Sequence, residues 1–206
     1  MKRSAWMAFL IAEALLYGSF LLLDLLTDAD TKWLKYASIL LAAIISLHLD
    51  DKIISAALCF AAAGDIFLLV LDQWYGIGIL LFFIVQLMYS LHLHARKILC
   101  IQSILIFSAV LLALVVRRIE LLAAGYILIF LLNLICASFH AAKERTGPSI
   151  LFFFGMLLFF CCDLCVGYYN IGTGALRAFA RVAMWGFYLP GQVLILLSAS
   201  NKGDLK

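Results

Sequence analysis

The sequence has little charge, almost no proline and no stretch long enough to form an aqueous domain. Asp, Glu, Lys and Arg make up 13% of the 206 residues, and only two prolines occur. Soluble domains carry about 25% charged and roughly 45–50% apolar residues, whereas 67% of this chain is hydrophobic. One core cannot hide so much apolar surface, so lipid must solvate much of it. Neither a basic stripe nor an RNA-binding signature nor a glycine-rich phosphate loop is present. The net charge of +3 is spread over many short segments, and no nucleic-acid partner is expected. All six cysteines fall within apolar runs, where no oxidising aqueous compartment reaches them. They read as small polarizable packing residues rather than disulfides.

What remains is a series of apolar runs between charged punctuation. A helix needs about 20 apolar residues to cross a hydrocarbon core of roughly 30 Å. The runs predict an all-α integral membrane protein, a single transmembrane domain over 1–206. Its spans fall near 5–26, 33–48, 53–71, 76–94, 98–116, 120–141, 149–168 and 178–198. The second run is short, so seven spans with a re-entrant segment is the alternative. The basic, apolar start lacks a small-x-small cleavage site and reads as a retained first helix.

With eight spans, one side collects nine Lys and Arg (Lys2, Arg3, Lys52, Arg96, Lys97, Lys143, Arg145, Lys202, Lys206). The other collects six (Lys32, Lys35, Arg117, Arg118, Arg177, Arg181), of which Lys35 and Arg181 fall at or inside helices. The positive-inside rule then predicts both termini on the cytoplasmic side, in a bacterial plasma membrane or endoplasmic reticulum.

Ionisable groups at mid-bilayer cost about 2.5–3.5 kcal/mol on insertion scales, so they face a bundle interior or a wet cavity. Asp65 and Asp163 are such groups. From the starts of their helices they lie at depths of about 18 and 21 Å, on helices that run the same way. One shared site is therefore expected. Gln86, Asn133 and Gln192 are also deep, Glu13 is a third buried acid, and Asp24 and Lys35 lie nearer the outer interface. An Asp helix followed by a Gln helix occurs twice, at Asp65/Gln86 and Asp163/Gln192, as a four-plus-four parallel duplication would give. His48, His92, His94 and His140 fall near cytoplasmic helix ends and read as interfacial residues. They lie roughly 15–20 Å from the acid pair, and neither a metal nor another cofactor is predicted.

Four segments carry a resemblance. They are Gly64-Asp65-Ile66-Phe67-Leu68, Phe159-Phe160-Cys161-Cys162-Asp163, Tyr188-Leu189-Pro190-Gly191-Gln192-Val193-Leu194-Ile195 and Phe83-Ile84-Val85-Gln86-Leu87-Met88-Tyr89. In order and spacing over residues 33–196 the chain resembles the YhhN-type, lysoplasmalogenase-like membrane proteins. Gln86 stands where that family usually has histidine, and Tyr36 follows Lys35 where a Lys-Pro pair is usual.

The resemblance implies a hydrolase that cleaves the vinyl ether of lysoplasmalogens to a fatty aldehyde and a glycerophospho-alcohol. Its substrate, a lysophospholipid, would enter from the bilayer. Vinyl ether cleavage begins with protonation of the β-carbon, and water then attacks the resulting oxocarbenium ion. Two neighbouring carboxyls can divide those tasks, as in glycoside hydrolysis. Asp65 and Asp163 are the expected acid and base. Gln86, Tyr89, Asn133, Tyr188 and Gln192 are expected to bind or orient substrate and water, and Lys35 to meet the phosphate. The rival class is a small proton-coupled transporter using the same Asp pair, since such pairs also relay protons.

Overall fold

A computed structural model describes residues 3–27 and 29–200 of the chain. Lys2, Lys202 and Lys206, counted above for topology, and Asp28 of the first turn lie outside the described residues. Eight α-helices follow one another: α1 (Arg3–Leu26), α2 (Lys32–Ser46), α3 (Lys52–Asp65), α4 (Tyr75–His92), α5 (Arg96–Val116), α6 (Glu120–Glu144), α7 (Gly147–Ile171) and α8 (Gly174–Ser198). A π-helical turn, Ile66–Val70, continues α3. Seven of these segments are long and apolar enough to cross a membrane, which makes the chain an integral multipass protein. The exception is α2, whose 15 residues cover only about 22 Å.

Two helix starts have a clear local cause. Asp51 caps α3 by accepting from the amides of Ile53 and Ile54. Thr146 and Ser149 form a reciprocal capping box at the start of α7, where Pro148 sits in the first turn. The predicted seventh and eighth spans are corrected outward, to 147–171 and 174–198, because the expected NIGTGALR loop shrinks to Gly172-Thr173. The left-handed Gly174 (φ 56°) turns the chain within that short connection, and contact along α7 and α8 keeps the polar ends helical. The third predicted span, 53–71, agrees with the apolar helical segment Lys52–Val70. Within it the helix changes to π geometry directly after Asp65, with the Leu71 amide reaching the Ile66 carbonyl at 2.8 Å.

Alternating helix directions divide the bundle into two ends. Thr27, Ala29, Asp30 and Thr31 before α2, Asp72 before α4, and Tyr169 and Arg181 on either side of the α7–α8 connection line one cavity, and Ile119 approaches Gly76 on the same end, the distal end. At the proximal end Asp51 meets His92, which stacks on Phe152. Among its neighbours α8 counts α7, α2, α1 and α3, whereas α5 packs only on α4 and α6. Accordingly α5 turns Ile104, Phe107, Leu114 and Val115 outward, as a lipid-facing helix must.

Glycines let the carboxylate helices approach their neighbours. A Cβ on Gly155 would stand 2.9 Å from the Gly191 carbonyl, and one on Gly191 would stand 3.0 Å from the Gly155 carbonyl. Such backbone-to-backbone packing is how membrane helices gain van der Waals contact without a hydrophobic driving force. Gly64 and Gly78 form a similar crossing between α3 and α4, backed by Phe82 and Leu68. Pro190 lies inside α8 and has no N–H to offer the Gly186 carbonyl. The Tyr17 hydroxyl of α1 donates to that carbonyl instead, at 3.2 Å.

Gly155→Ala is expected to destabilise the bundle by about 1–3 kcal/mol, because backbone cannot move aside as a flexible side chain would. Gly18 serves as control, since a methyl added there would meet nothing within 4 Å, and Gly18→Ala should be neutral or stabilising in detergent melts. A second expectation concerns Asp51. Burial pushes its carboxyl pKa up, but hydrogen bonds from His92, Ile54 and Ile53 outweigh this and hold it below the usual value. A carboxylate with a depressed folded pKa stabilises above its unfolded value, about 3.9, and loses that contribution as pH falls through the folded one. Melting temperature should therefore drop below about pH 4, and Asp51→Asn should flatten this part of the pH profile.

Candidate active site

Asp65 ends α3, and Asp163 lies eight residues, about 12 Å, before the distal end of α7. Asp65 is buried and Asp163 is half-buried. The two carboxyls interact electrostatically with each other, and both act on the Cys162 thiol. The structure thus brings the two sequence-predicted acids into one site.

Each carboxylate accepts a hydrogen bond from a tyrosine on another helix. Tyr188 of α8 donates to Oδ2 of Asp65 at 2.5 Å, and Tyr126 of α6 donates to Oδ2 of Asp163 at 2.8 Å. A row of aromatic edges joins the two phenols: Tyr126 to Phe82 at 6.2 Å, Phe82 to Phe159 at 5.9 Å, and Phe159 to Tyr188 at 5.2 Å. The carboxyl pair therefore sits beside an apolar, π-rich wall. Such a wall excludes water and presents negative ring faces to a developing cation.

Behind Tyr126 lies a buried amide network. Gln86 Nε2 donates to the Tyr126 hydroxyl at 3.5 Å, and Asn133 Nδ2 donates to Gln86 Oε1 at 2.9 Å and to the Gln86 carbonyl at 2.7 Å. Asn133 Oδ1 accepts from Gln102 Nε2 at 2.8 Å and is in reach of Ser90 Oγ at 2.5 Å. Ser90 also reaches Gln102 Oε1 at 2.6 Å, so its single proton serves one of two acceptors. Gln86 and Asn133 therefore act on Asp163 through Tyr126 and touch neither acid among the described hydrogen bonds.

Gln192 and Tyr89 differ from these. Both are buried, and neither the two polar atoms of the Gln192 amide nor the Tyr89 hydroxyl has a hydrogen-bond partner among the described residues. Gln192 is one turn along α8 from Tyr188 and on the same face. Tyr89 interacts electrostatically with Asp163 and Tyr188. An unpaired buried polar group costs about 1–3 kcal/mol, so these groups mark where a ligand oxygen or water would be bound.

Lys35 is buried and makes an ion pair with Asp24 at 2.6 Å. It also stands over the rings of Trp185 at 5.0 Å and Phe20 at 5.7 Å. Asp24 accepts a further bond from Thr31 at 2.5 Å. Glu13 is buried between α1 and α2, where Ser38 donates to it, away from the acid pair's hydrogen bonds. His92 pairs with Asp51 at 2.8 Å at the proximal end. Among the described residues no three His, Cys, Asp or Glu side chains cluster as metal ligands, and all six cysteines are free thiols.

Tyr126, Gln102 and Ser90 escape the sequence reading. Ser90 is one turn from Gln86 and Tyr126 is two turns from Asn133, so helical spacing alone points to the right faces. Asn133→Leu should strand Gln86 and Gln102 and lower bundle stability by about 1–2 kcal/mol, read as a lower melting temperature in detergent. Tyr126→Phe removes one hydroxyl next to a chargeable group and should cost a similar amount.

The sequence pattern described as the YhhN family matches residues 31–199, which include every site residue named above except Glu13, Phe20 and Asp24. Neither the curated proteins nor the solved structures compared with the chain gave a match.

Proposed function

Since the chain belongs to the YhhN family, we propose that it is an intramembrane lipid hydrolase that cleaves the vinyl ether of a lysoplasmalogen. The observation that carries this reading is the pair of carboxyls, Asp65 and Asp163, each accepting a hydrogen bond from a tyrosine hydroxyl beside an aromatic wall. Family membership supports a lysoplasmalogenase-like activity, and the site has the groups such a reaction needs.

One carboxyl gives its proton to the β-carbon of the vinyl ether, and the C=C electron pair forms the new C–H bond. Positive charge then spreads over the α-carbon and the ether oxygen, facing the remaining carboxylate and the rings of Phe82 and Phe159. Water bonds to the α-carbon while the second carboxylate accepts its proton, giving a hemiacetal. The hemiacetal C–O bond to glycerol breaks, its hydroxyl proton passes to the site, and the glycerol oxygen takes up a proton. The products are aldehyde and glycerophospho-alcohol, and the pair again holds one proton. Gln192, with a free donor and a free acceptor, is suited to orient the water, and Tyr89 to orient the ether oxygen. Gln86 and Asn133 position Tyr126 rather than touch substrate.

A transporter would need a polar route through both ends. Proximal to the acids the buried residues mix apolar Val85, Ile129, Phe152, Met156 and Ile195 with polar Ser90, Gln102 and Asn133, so flux has to be measured to separate the two readings.

Purified protein should release aldehyde from an alkenyl lysophospholipid. Asp65→Asn and Asp163→Asn should each lower the rate by about 10²–10⁴-fold, the usual range for removing a general acid or base. Full activity in either variant refutes the two-acid reaction. Proton flux into proteoliposomes without aldehyde release would favour the transporter.

A further inference from the structure

The distal end of the bundle encloses a cavity of about 380 Å³ whose walls mix both signs of charge. Its cations are Lys32, Lys35 and Arg181, and its carboxylates are Asp24, Asp30 and Asp72. Most of these charges are already matched. Lys35 holds Asp24 at 2.6 Å and Lys32 holds Asp30 at 3.2 Å, while Asp72 accepts a hydrogen bond from the Tyr75 hydroxyl. Arg181 alone among the three cations has no ion pair among the described residues, and its side chain is exposed.

The cavity connects to the acid pair by geometry. Leu69 in its wall lies four residues, about 6 Å or one helical turn, beyond Asp65. Along α8 the residues Arg181, Trp185, Tyr188 and Gln192 recur at steps of four, three and four, which places them on one face. Trp185 meets Tyr188 at 5.8 Å and lies under the Lys35 ammonium, so the face is continuous from cavity to Asp65. In a glycerophospholipid the sn-1 ether oxygen and the phosphorus are separated by five bonds. At about 1.2 Å of extension per bond this is roughly 6 Å. A lipid with its ether at the carboxyls therefore puts its phosphate in this cavity.

We propose that Arg181 is the residue that recognises the phosphate of the bound lysophospholipid, with Lys35 fixed in the wall by Asp24. A guanidinium presents a planar fork that fits two phosphate oxygens, whereas Lys35 has its charge satisfied and its ammonium packed between rings. The lipid ligand rests on the hydrolase reading above; a phosphate-bearing small molecule is the competing source of the same chemistry.

The test is a binding measurement with a saturated 1-O-alkyl lysophospholipid, which cannot be cleaved as a vinyl ether, against the matching alkylglycerol without phosphate. Because no turnover is needed, failure of the hydrolase reading shows separately, as absent aldehyde release from the alkenyl lipid. The wild-type protein should prefer the phosphate-bearing lipid, and Arg181→Gln should reduce that preference about ten- to hundredfold. Arg181→Lys should keep part of it. Arg177→Gln, one turn away where Arg177 stacks on Tyr169 at 4.8 Å, should leave it unchanged. A preference that survives Arg181→Gln, or is missing in the wild type, overturns the assignment. Glycerol phosphate binding as tightly as the lipid overturns the lipid as its source.

Discussion

Two carboxyl groups inside a membrane-spanning bundle impose most of the remaining arrangement, because hydrocarbon offers them no solvent. Each must find donors from protein, and a helix cannot satisfy a carboxyl on its own surface once its backbone groups are paired. The donors come from other helices: Tyr188 of α8 for Asp65, and Tyr126 of α6 for Asp163. Phenols suit this task better than lysine or arginine would. A fixed cation would neutralise the pair permanently, whereas a neutral O–H stabilises a carboxylate while leaving the proton free to move.

The helices that carry the acids are also packed backbone to backbone on other neighbours. Gly64/Gly78 bring α3 against α4, and Gly155/Gly191 bring α7 against α8. Pro190, which has no N–H, leaves the Gly186 carbonyl without its helical donor, and the Tyr17 hydroxyl supplies one. The π turn after Asp65 belongs with these features. It shifts the helical phase beyond the acid, and such turns are common where a side chain must be re-aimed at a functional site.

Polarity within the bundle is graded. Ion pairs and the exposed Arg181 line the distal cavity, whereas phenols, amides and hydroxyls, among them Ser90, Gln102 and Asn133, lie among apolar side chains around and proximal to the acids. On the proposed reading an amphiphile enters with its charged group toward the distal end and its reactive ether at the acids. The bundle holds two different kinds of glutamine. Gln86 is bonded by its neighbours and braces Tyr126, while the Gln192 amide has no hydrogen-bond partner among the described residues.

The helical, membrane-embedded class was legible from residue order, because apolar runs of spanning length between charged residues predict membrane helices. The motifs around Asp65, Asp163 and Gln192 also pointed to the family that the match over 31–199 establishes. Helix ends were less legible at Gly172-Thr173, where contact between neighbouring helices overrode weak local propensity. Tyr126 and Gln102 were invisible as site residues, since a tyrosine or amide in an apolar run is not informative until its facing helix is known. That both acids lie within apolar helices is thus a property of the sequence itself. Their electrostatic contact, the phenols that hold them and the Lys35–Asp24 ion pair are decisions of the tertiary structure. Helix rise follows from local geometry, but which faces meet depends on packing between segments far apart in the chain.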